Sequence, residues 1–231
     1  MQFIAYVVIY PFLWLISILP FRLLYIISDG LFIVNFYVIG YRKKTVKDNL
    51  RLVFPDKSQK EIQEIARKFY HHLCDMILES IKSLTISESA MRKRFQFTNI
   101  EELKQFEDQN RSVVLMCGHY ANFEWSLVLQ RYLNFKGYAI YKRLANKYFD
   151  RLVRRIRARY NSYLITTKES IPTLIEAKRN GELTINGFAS DQSPKINKAY
   201  HANYFMGIKV PVHTGAEMLA KKLDMAVVFM D

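Results

Sequence analysis

Residues 115 to 125 read LMCGHYANFEW, an apolar run that ends at Gly118 and His119, with Glu124 five positions beyond the histidine. An imidazole with a carboxylate on one ring nitrogen keeps the other nitrogen ready to take a proton from a bound hydroxyl. In that arrangement Glu124 holds the tautomer of His119 and stabilises the imidazolium that forms. The chemistry is then direct transfer to an external alcohol. The run carries no G-x-S-x-G turn to expose a serine nucleophile, and nothing near Cys117 points to an activated thiolate. By spacing alone the pair is also open to a blander reading, a loop histidine that happens to precede a helix.

Such groups gather where strands end and helices begin in an open α/β sheet, so the surrounding elements decide whether the pair is placed to work. SVVLMC is a short continuous apolar run of the kind buried on both faces; NFEWSLVLQRYL reads as a helix and YAIYK as a strand. NKYFDRLVRRIRARY is helical, with Phe149, Leu152, Val153, Ile156 and Tyr160 on one face. ESIPTLIEAKRNG is a further helix ended by Gly181, and LTINGFAS a strand leading into DQSP. A helix from about Thr214 and the strand MAVVFMD close the chain. Strand–helix alternation of this kind implies an α/β fold, with a mixed central sheet flanked by helices. Arg143 follows YAIYK and so falls on the rim that carries His119. A solvated arginine is its alternative, as a helix or turn cap is for Asp191.

Upstream, DKSQKEIQEIARKFYHHLCDMILESIKSL reads as one amphipathic helix, with Ser58 and Glu61 as a capping box. Its apolar stripe is Ile62, Ile65, Phe69, Leu73, Ile77 and Leu84. His71 and His72 lie on it near Asp75 and Glu79. Adjacent helical residues point about 100° apart, so packing and a solvated ring are expected there, not a metal site.

Half of the 231 residues are apolar and the net charge is +13. A sizeable core is available, global disorder is excluded, and an anionic partner is expected. Cys74 and Cys117 read as reduced thiols of a cytosol-facing protein. Gln2 to Phe21 carries no charge, and about twenty apolar residues suffice for a helix to cross a bilayer. There is neither a basic leader nor a small-residue cleavage site. Leu23 to Tyr41, broken by Asp29 and Gly30, suits a helix packed on the first or lying in the interface. YRKKTVKDNLRLVF follows, dense in cations that favour the cytoplasmic side and anionic headgroups. The organisation expected is a membrane-anchoring region over residues 1–41 and a catalytic domain over 42–231. The chain stops directly after a strand, which reads as a truncated domain.

GHYANFEW resembles the signature of the bacterial lipid A late acyltransferases, within the lysophospholipid acyltransferase superfamily. That superfamily carries a histidine, four residues and an acid, and in this branch the acid is commonly glutamate followed by tryptophan, as in Glu124–Trp125. The likeness extends to GYRKKTVKDNLRLVFPDKSQKEI, KFYHHLCDMILE, YKRLANKYFDRLVRRIR, ASDQSP and VPVHTGAEMLA, in the family's order. The resemblance implies a fold like glycerol-3-phosphate acyltransferase, with His119 as general base and Glu124 as its orienting carboxylate. Arg143 matches a basic position near the active site and Asp191 a family acid. Gly118 and Asn122 shape the turn, and their amides help hold the oxyanion.

It further implies a fatty acyl chain moved from a thioester, on acyl carrier protein or CoA, to a hydroxyl of a lipid A precursor. Another glycolipid, aminolipid or lysophospholipid is the alternative acceptor, and a non-catalytic membrane-binding relative the alternative role. No metal or bound cofactor is required. The enzyme would sit at the bacterial inner membrane, its catalytic domain cytoplasmic. Between Lys142 and Arg159 there are eight lysines and arginines against one acid, Asp150. Arg151, Arg154, Arg155, Arg157 and Arg159 face away from the apolar stripe, toward membrane phosphates, a phosphorylated acceptor or an acidic carrier protein. Nucleic acid is disfavoured by the apolar N-terminus and by the lack of a binding motif.

Overall fold

The structure, a computed structural model, describes residues 1–230. It divides into two compact units. One contains Val8–Ile86 with Tyr204–Lys209; the other contains Met1–Val7, Ser87–Asn203 and the chain from Val210 onward.

The first unit is helical. α1 (Gln2–Ile18) enters it at Val8, and α2 (Phe21–Ile33) runs on as a π-helix over Val34–Ile39. α3 covers Lys43–Val53 and α4 covers Gln59–Lys82. The uncharged run from Gln2 to Phe21 is therefore not one helix. α1 carries Pro11 within it and ends at Ile18; Pro20, which lacks an N–H, then takes an extended backbone and starts α2. The stretch long and apolar enough to cross a membrane is instead Phe21–Ile39, 19 residues. At the break, the buried Lys82 ammonium donates to the Ser17 and Leu19 carbonyls, both at 2.7 Å, and so caps the end of α1.

α4 begins with the expected capping box: the Ser58 hydroxyl accepts from the Glu61 N–H while the Glu61 carboxylate accepts from the Ser58 N–H. Its buried ridge differs from the expected stripe. Ile62, Ala66, Tyr70, Cys74 and Leu78 face inward, while Phe69 and Ile77 are exposed. A strict i, i+4 row lets α4 lie close along α2, where Ala66, Tyr70 and Cys74 pack with Phe32 and Phe36. His71 bonds to Asp29 at 2.7 Å, approaches Asp75 at 3.3 Å, and packs against Phe32.

The second unit is the expected α/β fold. After α5 (Glu88–Arg94) and α6 (Ile100–Asp108) come β1 (Val113–Cys117), β2 (Lys136–Tyr141), α7 (Lys147–Arg157), β3 (Ser162–Thr166), α8 (Ser170–Arg179) and β4 (Thr184–Ala189). A hairpin, β5 (His201–Phe205) with β6 (Ile208–Val212), precedes α9 (Gly215–Leu223) and β7 (Ala226–Met230). The main sheet has the order β3-β2-β4-β1-β7, and its pairs are parallel throughout. The mixed character expected of it is absent, because every link between these strands is a crossover.

Alternation along β1 divides the core. Val113 and Leu115 pack with Leu103, Leu129 and Phe135, whereas Val114 packs with Leu174, Ala177, Leu219 and Leu223. The fully buried Asn186 amide donates to the Val113 carbonyl and the Thr184 hydroxyl, each at 3.0 Å, and so ties β4 to β1 across the sheet. Leu174 is 0% exposed and Met218 is 61% exposed. Chemical denaturation should find Leu174→Ala destabilised by about 2–5 kcal/mol, the usual cost of a buried leucine, and Met218→Ala changed by no more than about 0.5 kcal/mol.

Candidate active site

Parallel pairing of β1 with β4 builds the site. Cys117 and Ala189 are partners at the C-terminal ends of the two strands, and the Ser190 N–H continues the ladder onto the Cys117 carbonyl at 3.3 Å. His119 and Asp191 each lie two residues beyond that last pair, so the register alone brings them side by side. Asp191 Oδ1 lies 2.6 Å from His119 Nδ1, and Asp191 Oδ2 accepts the His119 backbone N–H at 2.8 Å. Two bonds to one residue fix both position and rotation of the carboxylate. A β-carbon at Gly118 would meet Asp191 Oδ2 at 3.4 Å, an ordinary contact, so the carboxylate packs close against this residue.

With Nδ1–H donated to a carboxylate, a neutral imidazole carries its lone pair on Nε2. The ring is half-exposed and its edge packs on Phe123, 4.8 Å between centroids. Burial raises the Asp191 carboxyl, but the bonds from the His119 ring and backbone outweigh it and hold the group below its ordinary value of 3.8. Burial, and after it the Asp191 charge, pushes the Cys117 thiol up. A thiol so placed is a poor nucleophile.

Glu124 does not take the place expected of it. Its two oxygens are held by Arg157, with Nε donating to Oε2 at 2.7 Å and an Nη donating to Oε1. The ring nitrogen expected to bond to Glu124 is held by Asp191. The cause is local. Ala121 has a left-handed φ of 45° and Asn122 a non-helical backbone, and the segment Phe123–Arg131 is a 3-10 helix. No regular helical turn links residues 119 and 124. A planar guanidinium also matches a carboxylate through two parallel bonds. The pair ties the 3-10 segment to the last turn of α7.

Of the remaining candidates, Asn122 is buried and its carbonyl accepts from the Trp125 N–H. Arg143 does lie beyond β2 on the same rim, but its guanidinium bonds to Glu169 at 3.0 Å and is largely exposed. Arg157, expected on the basic face turned toward an anionic partner, is instead held on Glu124. Its i, i+4 spacing from Val153 in the apolar stripe was the available sign that it is half-buried. Among the described residues no group of three or more His, Cys, Asp and Glu could hold a metal ion.

A carboxyl whose pKa is lowered by folding stabilises the fold fully above its unfolded value, and that contribution is lost as pH falls through the folded value. The stability gap between the parent chain and Asp191→Asn should thus be widest above about pH 5 and shrink as pH drops below 3.8. Denaturation curves across that range check this.

The profile of the family described as bacterial lipid A biosynthesis acyltransferase matches residues 1–230. The chain is similar to the lipid A biosynthesis lauroyltransferase of Escherichia coli (strain K12), with 23% identity over 209 residues, 90% of this chain and 67% of that protein. The lipid A biosynthesis palmitoleoyltransferase of the same strain and the lipid A biosynthesis acyltransferase of Shigella flexneri match with the same identity and coverage. A profile match over so much of the sequence, with a histidine and a carboxylate joined at the rim of its parallel sheet, makes this chain a member of the bacterial lipid A biosynthesis acyltransferase family.

Proposed function

We propose that the protein transfers a fatty acyl chain from a thioester to a hydroxyl of a lipid A precursor at a membrane surface. The observation that carries this reading is the 2.6 Å contact of His119 Nδ1 with Asp191, which leaves Nε2 to act as base. The acceptor hydroxyl gives its proton to Nε2 as its oxygen attacks the thioester carbonyl. The carbon–oxygen bond forms and the carbonyl becomes an oxyanion, for which the backbone amides of Gly118 and Asn122 are the nearest donors in sequence, the His119 amide being bound to Asp191. On collapse the carbon–sulfur bond breaks, and the thiolate takes the proton back from the imidazolium. Asp191 bears the opposing charge throughout. Glu124 acts as a positioning residue through Arg157, by fixing the segment that follows the His119 turn.

Acyl carrier protein is the donor best suited to α7. With Arg157 held on Glu124, the exposed cations of this helix are Lys147, Arg151, Arg154 and Arg155. None has an ion-pair partner among the described residues. A cluster of like charges is relieved by an acidic partner.

His119→Ala should lower turnover about a hundredfold or more, the usual contribution of general-base catalysis, with folding little changed. Lipid mass spectrometry of a strain whose own copy carries His119→Ala should show the acceptor one acyl chain short. Unchanged lipids would sink the proposed reaction. Arg154→Glu with Arg155→Glu should raise KM for carrier-bound donor, leave KM for a small acyl thioester unchanged, and lose its effect in high salt, where surface charges are screened. An equal defect with both donors would place the contact elsewhere.

A further inference from the structure

We infer that α2 and its π-helical extension seat side-on in one leaflet, with α1 beside them, and do not cross the bilayer. This rests on the membrane association proposed above and specifies its form. Phe21–Ile39 has the length and composition of a span, but one side of it is committed along its length to α4. Leu24, Ser28, Phe32 and Phe36 recur every four residues and are buried. Polar bonds accompany them from end to end: the Tyr25 hydroxyl donates to Glu79 at 2.7 Å, Asp29 holds His71, and Lys43 donates to the Phe36 carbonyl at 2.9 Å. The Tyr70 hydroxyl closes the series on the Tyr41 carbonyl.

α4 cannot follow α2 through hydrocarbon. Its outer face carries Glu61, Glu64, Arg67, Lys68 and His72, all exposed. A spanning α2 would draw that row of charges into the bilayer beside it, where each is strongly disfavoured. The other side of α2 is apolar and open: Ile26 is 64% exposed and Val38 77%. On α1, whose last carbonyls are already bound by Lys82, Phe12 and Leu15 are exposed in the same way. A helix pair with one apolar face and one charged face lies in the interface plane. The occupant is a leaflet with anionic headgroups, because Arg22 at one end of the run and Arg42 at the other are exposed cations. A true span would send these two arginines to opposite sides.

The test is cysteine labelling of Arg22→Cys and Arg42→Cys, separately, in sealed right-side-out and inside-out vesicles of the native membrane. A membrane-impermeant maleimide is the probe, Lys60→Cys on α4 is the reference, and the parent chain is the blank for Cys74 and Cys117. The single-leaflet arrangement predicts that all three positions label in one vesicle orientation and none in the other. If Arg22→Cys and Arg42→Cys label in opposite orientations while the protein floats with the vesicles, the arrangement is overturned and membrane association stands. If the parent chain does not float with the vesicles at all, the open face is covered by something other than lipid, such as a second copy. Both readings then fall.

Discussion

Two parallel strands ending in register are the constraint on which the site depends. The bond between His119 and Asp191 joins residues 72 apart in sequence, and no local turn could make it. It exists because β4 returns between β2 and β1, and because Asn186 locks β4 to β1 from within the sheet. In parallel α/β sheets the carboxyl ends of neighbouring strands converge on one rim. Here that rim brings a histidine from one strand beside a carboxylate from the next. The rigid part of the molecule thereby sets the geometry of the reactive part.

The Glu124–Arg157 pair has a different place in that logic. Both side chains are about three-quarters covered and each is held by the other. Truncating one partner of such a pair leaves the other charge poorly solvated. The pair fastens the 3-10 segment to α7, whose other face displays the basic surface. A disturbance at α7 therefore reaches the turn that carries His119 by one ion pair.

Much of this was legible from residue order. A strand buried on both faces announces itself as a continuous apolar run, as SVVLMC does for β1; LTINGFAS and MAVVFMD mark β4 and β7, and the capping box at Ser58 fixes the start of α4. β3 is hard to read from residue order because it is a five-residue edge strand with an exposed tyrosine, Tyr163. The hairpin β5–β6 was passed over because every β5 residue is exposed, which leaves no alternation to read. His119 was found by its motif and Asp191 only by likeness to a family. That the two meet depends on strand register, which local sequence does not encode. A helical pattern after His119 would turn Glu124 back to the ring, but Ala121 is left-handed and Glu124 meets Arg157 instead. Pro20 divided an apolar run that length alone made whole.

The central claim is that His119 presents its Nε2 lone pair because Asp191 holds Nδ1–H. Nitrogen-15 NMR of the His119 ring, assigned by loss of its signals in His119→Gln and recorded where the ring is neutral, reads this directly. The account predicts the Nδ1–H tautomer in the parent chain, with Nε2 unprotonated, and a mixed tautomer population in Asp191→Ala. An Nε2–H tautomer in the parent chain, or one unaltered by Asp191→Ala, would contradict it.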